Sequence, residues 1–107
     1  PDFARKVAQA VLQNTKEFFG IVICGSGVGV SIVANRFPGI RCAIGFKKEQ
    51  VIHARENDSV NVLALPSDYI DFETTKEFID VFLKTQPKQE EKYARRIKEL
   101  DTISLAH

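Results

Sequence analysis

The sequence contains no methionine and opens on Pro1-Asp2. Removal of an initiator methionine before proline would explain that start, and so would a segment missing ahead of Pro1. Cysteine is scarce, with only Cys24 and Cys42 present. A small secreted domain stapled by disulfides carries more, so the composition points to a reducing cytoplasm. His53 and His107 are the only histidines, and two Cys and two His at these scattered spacings do not make a zinc site. A surplus of one charge is also lacking, because 15 Lys and Arg face 14 Asp and Glu for a net charge of +1. Non-specific binding to nucleic acid or to an anionic membrane needs excess positive charge, so neither partner is expected. No apolar run is long enough to span a bilayer, and no apolar signal-peptide core opens the chain. What is present suits one modest core, with 107 residues of which 44% are hydrophobic and 27% charged.

Helix and strand signals alternate, with no internal repeat or low-complexity linker between them. Asp2 to Gln13 reads as a helix with Phe3, Val7, Ala10 and Val11 on one face. Phe19 to Cys24 reads as a buried strand, Gly25 to Gly29 as a glycine-rich loop, and Val30 to Arg36 as a short helix closed by Phe37-Pro38-Gly39. Ile40 to Phe46 is a second strand and Lys47 to Glu56 a second crossover helix. Val60 to Leu65 is a third strand stopped by Pro66. Asp71 to Lys84 is an amphipathic helix with Thr75, Phe78, Ile79, Phe82 and Leu83 on one face. Pro87 opens a last, highly charged helix that runs to about Leu100 or beyond. Strands that alternate with helices imply parallel pairing and right-handed crossovers. Near-continuous apolar strands imply a sheet covered on both faces. The expected fold is therefore an α/β, Rossmann-like three-layer sandwich with a parallel sheet. Three strands are few for such a sheet. His53 falls among polar residues of a helix and is read as a surface or boundary side chain.

The segment from Ile21 to Asn35 carries the chemistry. A strand runs into a glycine loop, and the loop into a helix. Glycine lets backbone approach a ligand closely, and the unpaired N–H groups and dipole of a helix start favour negative charge. Ligands of open α/β sheets bind beyond the carboxyl ends of the strands, where this loop falls. The third glycine comes one residue early for a dinucleotide fingerprint, and no Lys-Ser or Lys-Thr follows, which excludes a nucleoside triphosphate P-loop. A tight turn would need the same small residues, so the glycines alone leave packing and binding equally open. Cys24 shifts that balance. A thiolate beside oriented N–H donors suits nucleophilic attack on a carbonyl, or removal of a proton next to one while the amides hold the oxyanion. A cysteine that merely packs is the commoner case, and Cys42, mid-strand with no glycine loop behind it, is read that way.

The run from Cys24 through Gly29 to Asn35, then Pro38-Gly39-Ile40-Arg41 and Asn61-Val62-Leu63-Ala64, resembles the type B ribose-5-phosphate isomerases and the related galactose-6-phosphate isomerase subunits. Pro1-Asp2-Phe3-Ala4 and Arg95-Arg96-Ile97 fit the same pattern. The resemblance covers nearly the whole chain. It implies a homodimer or homotetramer with sites at the subunit interface, acting on a small sugar phosphate. It implies an aldose–ketose isomerisation through an enediolate, with no metal and no other cofactor. Cys24 matches the base that moves the proton between C1 and C2. The amides of Gly25, Ser26, Gly27, Val28 and Gly29 match the anion hole. Ser26 matches a hydroxyl residue that helps open the sugar ring. Arg96 and Lys92 match basic residues that reach the phosphate, and their spacing puts them on one helix face.

The chain also departs from that pattern. A His-Asn pair of the family is matched by Asn57-Asp58, so Asn57 takes the place of a ring-opening His. An Arg is matched by Asp68, and a His on the terminal helix by Tyr93. An Asp-His pair on the family's first strand has no counterpart, so the chain is read as starting after the family's first β-α-β portion. A three-stranded sheet alone would then expose an apolar edge. Two alternatives remain beside a ribose 5-phosphate isomerase. One is a weakly active or inactive sugar-phosphate-binding partner subunit. The other is an isomerase of a six-carbon sugar phosphate such as galactose 6-phosphate. A generic nucleotide-binding module fits the glycine spacing poorly.

Overall fold

The computed structural model describes residues 2–103, so His107 lies outside the described residues. The elements follow the order α1 (Asp2–Leu12), β1 (Gly20–Cys24), α2 (Val28–Asn35), β2 (Cys42–Ile44), α3 (Lys48–Asp58), β3 (Val62–Pro66), α4 (Phe72–Lys84) and α5 (Glu91–Ile103). The strands are parallel and ordered β1-β3-β2. The fold is the expected Rossmann-like α/β arrangement. Every residue of β3 is buried, as a continuous apolar run in the central strand requires. Val62 and Ala64 point into a core shared with Ala4, Ala8, Val30 and Ala34 of α1 and α2. Leu63 and Leu65 point into a second core with Val51, Phe78 and Phe82 of α3 and α4. Two cores on opposite faces of one sheet make three layers.

Element boundaries differ from the sequence reading at several places, each with a physical reason. The buried face of α1 is Ala4, Ala8 and Val11, whereas Phe3 and Ala10 are exposed. The helix lies so close to the sheet that a Cβ on Gly20 would stand 2.5 Å from Val7 Cγ1 and 3.1 Å from Val11 Cγ2, so the glycine makes room for these two valines. In α4, Phe78 and Phe82 are buried but Leu83 is exposed. Asp71 caps this helix, its Oδ1 accepting from Thr74 N at 2.7 Å. Strand β2 is short because the residue before it is held by side chains. Arg41 N donates to Asn61 Oδ1 at 2.8 Å, and Asn61 Nδ2 donates to Gly39 O at 3.0 Å. The last helix starts at Glu91 rather than at Pro87, since Lys88 N is used on Glu56 O at 2.8 Å.

Direction along the sheet organises the rest. The β1–α2, β2–α3 and β3–α4 turns gather at the carboxyl ends of the strands. Helix α5 lies at the opposite end, tied by the Arg41–Asp101 ion pair at 2.9 Å and by an Arg96–Asp58 approach of 3.8 Å. Among the described residues β1 pairs with β3 alone, leaving its other edge open, with Phe18 and Ile23 exposed nearby. That is the apolar edge expected for so small a sheet. No described helix is long and apolar enough to cross a membrane.

Candidate active site

Cys24 ends β1 half-buried, on the face that packs against the α1–α2 core. Its carbonyl accepts from Ser67 N at 2.8 Å, and Gly25 O accepts from Asp68 N at 2.9 Å. The loop after Cys24 is thus pinned to the turn after β3. Gly27 is the N-cap of α2 with φ of +76°, a left-handed conformation suited to glycine. Helix α2 begins at Val28 rather than Val30, so Val28 and Gly29 form its first turn instead of the loop. Ser26 Oγ accepts from Val28 N at 3.2 Å. The Val28 amide is therefore engaged, contrary to its expected place in an anion hole. The amides of Gly25, Ser26, Gly27, Gly29 and Val30 have no acceptor among the described residues. They follow Cys24 directly, at the positive end of a helix. A Cβ on Gly29 would meet nothing within 4 Å, so this turn opens to the outside.

Asp68 stands beside the same loop. A Cβ on Gly25 would lie 2.6 Å from Asp68 Oδ2, so the carboxylate fills the space that a side chain at Gly25 would take. A negative charge there opposes an anion, an effect on the glycine loop that the Asp68 departure from the family's Arg did not reveal in the sequence. Cys42 opens β2, and burial pushes its thiol up to about 12. Its backbone is paired by a side chain, with Asn35 Oδ1 accepting from Cys42 N at 2.8 Å and Asn35 Nδ2 donating to Cys42 O at 3.0 Å. Asn35 therefore acts as a substitute ladder partner on an edge strand.

The remaining expected site residues lie elsewhere. Asn57 is buried in the last turn of α3, while Lys92 and Arg96 are exposed on α5. Both basic side chains lie over the ring of buried Tyr93, at 5.0 and 5.5 Å from its centre. These three residues stand at the amino end of the sheet, and the Cys24 loop stands at the carboxyl end. One copy of the chain does not bring the two groups together. Asn57 Nδ2 lies 2.8 Å from His53 Nε2, and Asn57 Oδ1 is buried with no hydrogen-bond partner. His53 is exposed, as expected, but its link to Asn57 was missed. The spacing of one helical turn between them was the available signal. A cavity of about 550 Å³ also avoids the glycine loop and opens between β2, α3 and α5 beside Cys42, His53 and Asp101.

A doubly wound α/β domain with a strand–loop–helix turn of acceptor-free amides, and a cysteine at its entrance, is the class that this fold and site define. The ribose/galactose isomerase family model matches residues 1–100, and the chain belongs to that family. It is 38% identical over 86 residues to the ribose-5-phosphate isomerase B of Escherichia coli, covering 80% of this chain and 57% of that protein. It is 36% identical over 86 residues to the D-erythrulose-4-phosphate isomerase of Pectobacterium atrosepticum, covering 80% of this chain and 56% of that protein. The chain thus matches little more than half the length of these curated relatives. Among solved structures, the ribose-5-phosphate isomerase B of Mycoplasma genitalium with bound ribulose-5-phosphate superposes with a TM-score of 0.92. Identity there is 34%, over 100% of this chain and 70% of that one.

Proposed function

We propose that this chain serves an aldose–ketose isomerase that interconverts ribose 5-phosphate and ribulose 5-phosphate through an enediolate. The observation that carries this reading is Cys24 at the end of β1 with acceptor-free amides directly after it. Cys24, as thiolate, takes the proton from C2 of the open-chain aldose. The C–H electron pair forms the C1–C2 double bond as the carbonyl pair moves onto O1. The amides of Gly25, Ser26, Gly27 and Gly29 hold that charge, with Val30 in place of the engaged Val28. The proton returns to C1 while a hydroxyl proton passes from O2 to O1, which leaves the ketose. Ser26 Oγ already accepts from Val28 N, so its own proton is available to the ring oxygen during ring opening. Asn57 contributes from the other end of the sheet, and Lys92 and Arg96 bind the phosphate. Because that group and the glycine loop are separated within one copy, a second copy completes each site, which makes the enzyme a homodimer or a pair of dimers. The cytoplasm suits its two free cysteines.

Replacement of Cys24 by alanine tests the reading. General-base proton transfer contributes about 10²–10⁴-fold, so Cys24→Ala is expected to lower kcat by that factor with circular dichroism unchanged. Turnover close to that of the parent protein would overturn Cys24 as the base. A second reading draws on Asp68, whose carboxylate crowds Gly25 and would repel both enediolate and phosphate. It makes the chain a sugar-phosphate-binding subunit with little activity of its own. Binding of ribose 5-phosphate without turnover would favour it. The same site with more room would take a six-carbon sugar phosphate, and side-by-side assays of ribose 5-phosphate and galactose 6-phosphate decide between them.

A further inference from the structure

At the amino end of the sheet a second cavity, of about 350 Å³, opens between the α1–β1 turn, the α3–β3 turn and the start of α5. Its walls carry four cations, Lys16, Arg41, Arg55 and Lys88, and, among the described residues, no acidic side chain. Such a concentration is unusual in a chain whose net charge is +1. Arg55 is only 4% exposed, and a buried guanidinium is ordinarily matched by a carboxylate. Here it has none. Its Nε donates to Thr85 O at 3.3 Å and its Nη1 to Val60 O at 2.7 Å, while its Cζ lies 4.6 Å from the centre of the Phe19 ring. Nη2 has no acceptor among the described residues.

Arg41, whose charge acts on Arg55, is also a cation and compensates nothing there. It carries its own carboxylate, with Nη1 2.9 Å from both Asp101 oxygens, and its Nε donates to Ser59 O at 3.1 Å. Asp101 therefore offsets one arginine and leaves the other uncompensated. Burial and the Arg41 charge both pull the Arg55 guanidinium below its ordinary value, as two like charges in one cleft require. Lys16 and Lys88 have no ion-pair partner among the described residues. The carbonyls of Thr85 and Val60 explain why Arg55 is anchored, but not why three further cations surround the opening.

We propose that this cleft binds a small phosphate oxyanion or phosphomonoester, seated on Arg55 Nη2 and flanked by Lys16 and Lys88. A phosphate offers three or more acceptor oxygens, which suits a buried guanidinium with a spare edge and two exposed ammonium groups. The volume lies in the range of small-molecule sites. The cleft adjoins the face proposed for phosphate binding, since Lys88 Nζ lies 5.4 Å from the centre of the Tyr93 ring that Lys92 and Arg96 also cover, and Arg55 and Lys16 set it apart. On α5, Ala94 and Ile97 line the cleft, whereas Lys92 and Arg96 point about 100° or more away around the helix. It also lies at the other end of the sheet from Cys24.

Backbone amide NMR titration of the purified protein, with inorganic phosphate and separately with ribose 5-phosphate, tests this site. Saturable shifts are expected at Lys16, Ser59, Lys88 and Gln89, and they persist in the Lys92→Ala/Arg96→Ala variant. Lys16→Ala/Lys88→Ala, which changes exposed residues only, is expected to weaken binding at least about tenfold while leaving the fold intact. Similar affinity for the two probes identifies the oxyanion alone as the ligand, and tighter binding of ribose 5-phosphate identifies a phosphomonoester. Either result supports the site. Shifts confined to the Gly25–Val30 turn and the Lys92–Arg96 face would overturn it, as would unchanged affinity in the lysine double variant.

Discussion

Gly27 and Cys42 show how single residues set the properties of the carboxyl end of the sheet. Gly27 holds φ of +76° while its neighbours leave room for a methyl group, the closest being Ile44 Cγ2 at 3.4 Å. The cost of a side chain there is thus conformational rather than steric. Gly27→Ala is expected to lower stability by about 1–2 kcal/mol, read from urea unfolding, and to disturb the amides on either side. Cys42 poses a different question, because burial raises its thiol from 9.0 to about 12. Between those values the unfolded chain ionises this thiol and the folded chain does not. The stability it contributes is fully present below pH 9 and declines as pH rises toward 12. Cys42→Val should flatten that alkaline decline in a series of thermal melts, and an unchanged slope would count against the buried thiol as its cause. The sequence made the Cys24 loop legible because strand, glycines and helix adjoin in the chain. Asp68 was legible as a departure from a family pattern, but its contact with Gly25 depends on how two separate turns meet. The Asn57–His53 link was legible in principle and went unread because His53 looked like an ordinary surface residue.

Elements were legible wherever one pattern dominated, as in the wholly buried β3 or the Phe78–Phe82 face of α4. They were less so where close approach replaced bulk. The buried α1 face is Ala4, Ala8 and Val11, with Gly20 making room for Val7 and Val11 against the sheet, whereas hydropathy alone favours Phe3. Strand β2 is shorter than its apolar run because Asn61 holds Arg41 N, and Asn35 then covers Cys42 with two hydrogen bonds. An edge strand of three residues depends on such help. Asn35→Ala is expected to cost about 1–2 kcal/mol through those two bonds, measured by chemical denaturation. Amide hydrogen exchange at Cys42 should rise with it. Asn35→Asp keeps the acceptor for Cys42 N and loses the donor for Cys42 O, so it should fall between the parent and the alanine variant.

At the scale of the whole molecule, the separation of the two functional groups decides what activity requires. Cys24 stands at one end of β1, whereas Asp58, which Arg96 approaches at 3.8 Å, precedes β3 at the other end. A strand of five residues separates those ends by about 13 Å, and α5 lies beyond. Within one copy, the sheet stands between the candidate base and the candidate phosphate ligands. If a two-fold dimer pairs Cys24 of one copy with Lys92 and Arg96 of the other, inactive variants should rescue each other. Cys24→Ala and Arg96→Ala chains, unfolded together and refolded as a mixture, would form heterodimers in half of the molecules. Each heterodimer would hold one site with both defects and one with neither, so about a quarter of the parent activity is expected to return. If each copy supplied its own complete site, every site in the mixture would keep one defect and no activity would return. The same mixture made with Gly27→Ala in place of Arg96→Ala serves as the control. Gly27 belongs to the Cys24 end, so every heterodimer site then carries one of the two defects and rescue should be absent.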